Sequence, residues 1–303
     1  MVSLNEDRIE LRATLAEAGL NPSEPAFEWI RSDLEVSAFR EGRTVRLYHG
    51  ATQTHNGAIG VSCGPSRYVV ARPGEPLTTC RNGDDGVLFA SVTAFPPWNP
   101  DAPLVSPLTV AAFTPNLTAP PEVPAYTPDV QKRLLLTWLA GGVAGLRPLP
   151  LLAVLGDRGG GKSTLCRAIV QTFHGRDANV AALSADERDF WTNCTRRTLY
   201  ALDNLDATPQ PWLADALAAA VTGTRRQTRK LYTDADLSDR ESIAALLVNS
   251  RTATFCRADV SERVIPLFVD DLTDDRRVAD SDLTAEVAAC RDGLLVYLLT
   301  KAT

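Results

Sequence analysis

The run Gly156-Asp157-Arg158-Gly159-Gly160-Gly161-Lys162-Ser163-Thr164 constrains this 303-residue chain more than any other stretch. It fits the spacing GxxxxGK[ST] through Gly156, Gly161, Lys162 and Ser163. An apolar run, LPLLAVL (149–155), precedes it and reads as a buried strand. A helix-prone run, STLCRAIVQTF (163–173), follows. Strand, glycine turn and helix in that order gather backbone N–H groups and a helix N-terminus around one small space, which suits a phosphate. Lys162 is then placed to reach the β- and γ-phosphates of a nucleotide, and the Ser163 hydroxyl to hold Mg2+. A glycine-rich turn with a chance Lys-Ser is the alternative, and the flanking elements argue against it.

Length suggests about two domains. The composition is that of an ordinary globular chain, which excludes collagen, coiled coil and wholesale disorder. Lys plus Arg is 31 against 37 for Asp plus Glu, a net charge of −6, so a generic nucleic-acid coat is excluded while a local basic patch is not. The six cysteines (Cys63, Cys80, Cys166, Cys194, Cys256, Cys290) form no CxxC pair, which argues against a zinc site and for reduced thiols. The start, MVSLNEDRIELR, is charged from its sixth residue, and no stretch reaches 18 uncharged apolar residues. The expectation is a cytoplasmic protein without a membrane span.

Ten of the 20 prolines fall between Pro96 and Pro128, a density that stops helices and makes an extended connector. The domain boundary is therefore expected near residue 125. Residues 1–125 read as an N-terminal helix over 5–18, a short helix over 26–34 and a smaller β-rich module. Its β-prone runs are TVRLYHG, AIGVSC, RYVVARP and GVLFASVTAF. His49 and His55 lie in the turn-rich YHGATQTHNG and read as surface loop histidines. Residues 126–303 alternate helix and strand: a helix over 129–143, the strand and helix around the glycine loop, strand NVAAL, helix DERDFWTNC, strand TLYALD, helix WLADALAAAV, a charged hairpin, strand IAALLVN, helix ADVSERV, strand IPLFV and a terminal helix. Such alternation predicts a parallel sheet flanked by helices. Strand TLYALD ends in Asp203, the pattern of an acid that holds Mg2+ beside a phosphate loop. Asn204 follows where many ATPases carry a glutamate. An amide does not deprotonate water, so Asn204 orients the water, or Asp206 or another acid helps, or hydrolysis is slow.

The order of phosphate loop, acidic strand, charged hairpin, Asn-ended strand and Arg-bearing helix resembles that of AAA+ P-loop NTPases. Within them it resembles the superfamily-three helicases of viruses, phages and plasmids. LDNLD, WLADALAAAVTG, TRKLYTD, LLVNS and ADVSERV are similar to bacterial ATP-binding proteins of mobile elements related to phage primase-helicases. The resemblance covers roughly residues 130–300. It implies an AAA+-like fold, ATP and Mg2+ as cofactors and a homo-oligomeric ring, with a hexamer as its reference size. Gly156 to Thr164 would form the nucleotide loop, Asp203 would serve Mg2+, Asn249 would be the polar sensor at the γ-phosphate or attacking water, and Arg263 would be the arginine finger, with Arg257 as second candidate. The chain stops soon after the terminal helix, leaving little room for a helical lid.

Arg225, Arg226, Arg229 and Lys230 put four cations in six residues beside Tyr232. The resemblance implies that this hairpin grips single-stranded DNA: cations add sequence-independent phosphate affinity and Tyr232 stacks on a base. The leading expectation is an ATP-driven helicase or translocase in mobile-element replication. The alternatives are an ATP-dependent switch or scaffold without unwinding, which Asn204 and the short C-terminus favour, and a small-molecule kinase, which the Asn-strand and Arg-helix order disfavours.

Overall fold

Alternate residues of the central strands belong to opposite hydrophobic clusters, and that alternation sets the architecture. The computed structural model describes residues 15–19, 21, 23, 25–42, 46–54, 57–90, 93–206, 210–223, 225–229, 237–253, 257–273 and 277–303, with the backbone alone for 225–229, 237–241 and 258–259. The chain divides into two compact units, 1–46 and 47–303. In the first, helix α1 (Pro25–Glu41) runs a full two turns past the end expected at residue 34. Of the helix expected over 5–18, only its end lies within the described residues, with 15–17 helical. Leu15 and Phe27 are buried, with Ile30 against them.

The second unit opens with β1 (Leu47–Tyr48), β2 (Ala51–Gln53), β3 (Ile59–Ser62), β4 (Arg67–Ala71), β5 (Thr78–Arg81) and β6 (Leu88–Phe89). Strands β2 to β5 form an antiparallel sheet in chain order, while β1 pairs in parallel with β6. His49 is not a surface loop residue: it is half-buried, its Nδ1 3.0 Å from Thr93 Oγ1. His55 lies outside the described residues.

Then follow α2 (Pro128–Val143), β7 (Leu151–Leu155), α3 (Lys162–His174), β8 (Ala181–Ala182), α4 (Glu187–Arg196), β9 (Leu199–Asp203), α5 (Leu213–Val221), β10 (Arg225–Arg229), β11 (Leu237–Glu241), β12 (Ala245–Ser250), α6 (Ala258–Ser261), β13 (Val264–Phe268) and α7 (Asp280–Ala302). Five strands make a parallel sheet in the order β13-β7-β12-β9-β8. Leu152, Val154, Ala201, Leu247 and Leu267 pack in one cluster with α2, α3 and α7. Leu151, Ala153, Leu155, Leu202, Leu246 and Val248 pack in the other with α4 and α5. The expected parallel sheet flanked by helices is present. Among the described residues several elements are shorter than expected: TVRLYHG contributes only Leu47–Tyr48 and GVLFASVTAF only Leu88–Phe89, NVAAL only Ala181–Ala182 at the sheet edge, and ADVSERV only the single turn of α6.

The proline-rich stretch is irregular, as its composition dictates, with two 3-10 turns at Pro107–Thr109 and Ala111–Phe113. It is not a spacer between two cores. Ile59, Val61 and Val69 of the antiparallel sheet share one hydrophobic cluster with Val110, Phe113, Leu135 and Phe173. Residue 125 thus falls inside the second unit. The stretch runs as a strap along α7 and the edge strand β13. Thr118 N–H donates to Phe268 O at 2.9 Å, and Asp270 N–H to Asn116 O at 2.8 Å. The Gln131 carboxamide joins in, accepting from Phe268 N–H at 2.8 Å and donating to Thr118 O at 2.7 Å. Covering an edge strand in this way occupies backbone groups that would otherwise invite another chain.

Arg291, 8% exposed on α7, ties the strap to the helices. Its guanidinium donates to the carbonyls of Thr172 (3.1 Å), Pro97 (3.2 Å) and Pro96 (3.2 Å). Arg291→Ala leaves these carbonyls unpaired and is expected to cost about 2–4 kcal/mol. Urea denaturation of the two proteins checks this, and equal midpoints would refute it.

Candidate functional site

Strand β7 ends in Leu155, and the chain then turns through Gly156 to Gly161 into α3. The path requires its glycines, Gly156 and Gly161 among them. Gly156 has φ +146°, and a Cβ there would run into the carbonyl oxygen of Val269. Gly161, the N-cap residue of α3, has φ +79°. The loop can therefore lie flat against the segment after β13, where Leu272 N–H donates to Gly159 O at 3.4 Å. The first turn of α3, whose N–H groups have no partner within the helix, lines a cleft of about 890 Å³.

Lys162, Ser163, Asp203, Asn204 and Asn249 all line this cleft, with Arg158, Gly159, Gly161 and Thr164. The Ser163 hydroxyl donates to Asp203 Oδ1 at 3.1 Å. The Asn249 amide, 2% exposed, donates to the same oxygen at 2.5 Å and to Ser163 Oγ at 3.4 Å. Its carbonyl accepts from Asn204 N–H at 2.7 Å. Asn204 sits in the left-handed region with φ +55°, a conformation asparagine tolerates better than most residues. Lys162 Nζ donates to Asp157 O at 2.5 Å. Burial lowers its pKa, opposed by the nearby carboxylates of Asp206, Asp157 and Asp271.

Asp206 is occupied by strand β12. Its carboxylate accepts from the Ser250 hydroxyl (2.8 Å) and from the N–H groups of Arg251 (2.8 and 2.9 Å) and Thr252 (3.4 Å). Burial alone would raise its pKa, but these donors and the Arg251 charge hold it below the usual value.

Arg263 does not reach the cleft of its own chain. Its carbonyl accepts from Leu151 N–H at 2.8 Å, which puts it at the start of β7, the opposite end of the sheet. Arg257 pairs with Asp215 at 3.0 Å, both exposed. Arg225, Arg226 and Arg229 lie on β10, which pairs antiparallel with β11 so that Arg225 faces Glu241 and Arg226 faces Arg240 in register. Lys230 and Tyr232 lie outside the described residues. Among the described residues no group of three or more His, Cys, Asp or Glu gathers to hold a metal, and no helix is long and apolar enough to cross a membrane. The described cysteines Cys63, Cys80, Cys166, Cys194 and Cys290 are free thiols, and Cys256 lies outside the described residues.

Sequence reasoning missed one wall of the cleft. Ala111, Ala112, Thr114 and Pro115 come from the strap, and Leu272, Val278 and Leu283 from the stretch after β13 and from α7. It also missed Arg251, a lone arginine, and Arg277, which follows Arg276, both outside any motif.

Asn249→Ala leaves the Asn204 N–H unpaired and is expected to cost about 2–3 kcal/mol. Asn249→Asp sets a second carboxylate against Asp203 and is expected to cost more at neutral pH. The shared site raises one carboxyl pKa in the folded state only, so that extra cost shrinks as pH falls. Urea denaturation at pH 7 and pH 5 checks both. An Asn249→Ala protein as stable as its parent would show that the bonding pattern carries no weight.

Residues 124–302 match the model of a family described as actinomycete integrative conjugative element replication protein. No curated protein matches the chain. Among solved structures, the A-form apo structure of the NrS-1 C-terminal region matches with a TM-score of 0.44 and 12% identity, over 77% of this chain and 64% of that one. A second such structure, of region 305–718, matches at 0.45 and 11%, over 77% and 63%. The chain thus spans less than two thirds of those structures.

Proposed function

This chain belongs to the family of actinomycete integrative conjugative element replication proteins, and from that premise we propose that it binds ATP with Mg2+ in the cleft and hydrolyses it while acting on DNA. The reading takes the second unit as a P-loop NTPase of AAA+ type, close to the superfamily-three helicases. One observation carries it: Ser163, Asp203 and Asn249 form a single hydrogen-bonded group at the mouth of a glycine loop, with Lys162 in the same cleft. Ligands of open α/β sheets bind at such carboxyl ends of strands.

The residues fit the group they would hold. Ser163 and Asp203 offer two hard oxygen donors, the type Mg2+ takes beside phosphate oxygens and water. Bound there, Mg2+ would supply positive charge against the β- and γ-phosphates. Lys162 and the N–H groups of the loop bind the phosphates. Asn249 holds the Asp203 carboxylate in one orientation. The Asn204 carboxamide orients a water without taking its proton. Asp206 is committed to Ser250, Arg251 and Thr252 and is a weak base, so turnover is slow unless another group assists. Arg263, at the far end of the sheet, would act only in a neighbour's cleft, which makes a homo-oligomeric ring part of the reading.

DNA enters through the β10–β11 hairpin, where Arg225, Arg226, Arg229 and Lys230 would meet phosphates and Tyr232 a base. Asn204 favours a second reading, an ATP-dependent switch or scaffold without unwinding.

The test is ATP turnover with and without single-stranded DNA, with Lys162→Ala as the blank. DNA-stimulated turnover lost in Lys162→Ala is expected of a motor. ATP binding with negligible turnover under both conditions would replace the motor with the switch. Separately, Arg229→Ala with Lys230→Ala is expected to weaken DNA binding roughly tenfold with ATP affinity unchanged, and to flatten its salt dependence by about two phosphate contacts. Unaltered DNA retention in a filter or gel-shift titration would exclude the hairpin as the DNA grip.

A further inference from the structure

Among the described residues, three arginines line the cleft: Arg158, Arg251 and Arg277. Arg158 rides on the glycine loop, and Arg277 is held by Nε donating to Leu272 O at 3.4 Å. Arg251 differs from both. It follows the last residue of β12 and stands two residues beyond Asn249. Its position is fixed through the backbone, because its N–H and that of Thr252 donate to Asp206.

Its guanidinium is far less committed. It meets Asp206 through Nε alone, at 3.4 Å, and the Arg251 side chain is 57% exposed against 11% for Asp206. A one-point ion pair on an exposed arginine contributes little and is readily exchanged. Asp206 is itself the foremost charge acting on the Lys162 ammonium, so the Arg251 contact lies beside the lysine of the phosphate loop. A planar fork of donors matches phosphate oxygens in a way an ammonium does not.

We infer that Arg251 reads the terminal phosphate within its own chain: its guanidinium leaves Asp206 for the γ-phosphate of a bound nucleoside triphosphate and has no ligand in the diphosphate. This rests on the reading of the cleft as a nucleotide site. No covalent bond changes in the exchange. Asp206 keeps its Ser250, Arg251 N–H and Thr252 N–H donors throughout, so the strand end stays in place while the side chain moves. Arg251 is then a cis contact, independent of any arginine offered by a neighbour.

The experiment is equilibrium competition binding of ADP and of a non-hydrolysable ATP analogue, each with Mg2+, to the full chain and to Arg251→Ala, Arg251→Lys and Lys162→Ala. Arg251→Ala is expected to weaken the triphosphate analogue roughly ten- to hundredfold and to leave ADP within about twofold, the retained ADP affinity also reporting an intact fold. Arg251→Lys, which keeps the charge and loses the fork, is expected to recover part of the loss. Equal weakening of both nucleotides, or no change in either, would overturn the role of Arg251. Failure of the unsubstituted chain to bind either nucleotide, with Lys162→Ala indistinguishable from it, would overturn the nucleotide site itself.

Discussion

One buried carboxamide organises the cleft. Asn249 spends its amide donors on Asp203 and Ser163 and its acceptor on Asn204 N–H, so three chain segments meet at a single side chain. Those segments come from three adjacent strands, β7 through α3, β9 and β12. The carboxamide works only because it is dry and uncharged: a carboxylate in its place would repel Asp203, and an apolar side chain would leave a backbone donor unpaired. Cys166 lies behind it, and burial pushes that thiol up to about 12, so no second charge competes. The orientation of Asp203 is thus fixed from within the sheet, and the loop has only to bring Ser163 to it.

The other end of the sheet is tied as well. The Arg147 guanidinium donates to the carbonyls of Ile243 (2.7 Å) and Thr198 (3.0 Å), residues just before β12 and β9. Burial lowers its pKa to about 10, which still leaves it charged at neutral pH. Asn249 joins β7, β12 and β9 where they end, and Arg147 joins them where they begin. The strands between are apolar on both faces, so each tie acts on a rigid body. Arg291 does the same for the strap, again by meeting carbonyls.

The parts legible in the sequence are those whose chemistry is written in side chains. The glycine loop was legible because φ above zero and close backbone approach demand glycine, and Gly156 against Val269 is such a case. Asp203 and Asn249 were legible because apolar runs ending in a polar residue mark the tip of a buried strand. The strap was not. Prolines state that a stretch is not a helix, but the bonds that lay it along β13 and the residues after it, Thr118 N–H on Phe268 O and Asp270 N–H on Asn116 O, use backbone groups that every residue carries, and the Tyr126 hydroxyl meets a carbonyl, Pro266 O. The same holds for the ties of Arg147 and Arg291, which meet carbonyls and leave no partner residue to find. Edge elements misled for a related reason. Strand NVAAL shrinks to two alanines because an edge with so little side chain to bury gains little from pairing, and Arg251 is a lone arginine whose setting only the fold supplies.

The strap has a consequence for inheritance. The matched family region starts at residue 124, yet Ala111, Ala112, Thr114 and Pro115 form part of the cleft wall. The heritable cassette is therefore larger than the stretch that carries the recognisable motifs. Recombination that exchanged everything before residue 124 between two mobile elements would conserve the glycine loop and swap the part of the cleft wall that the strap supplies. Such chimaeras would keep Lys162, Ser163, Asp203 and Asn249 and change the surface beside them.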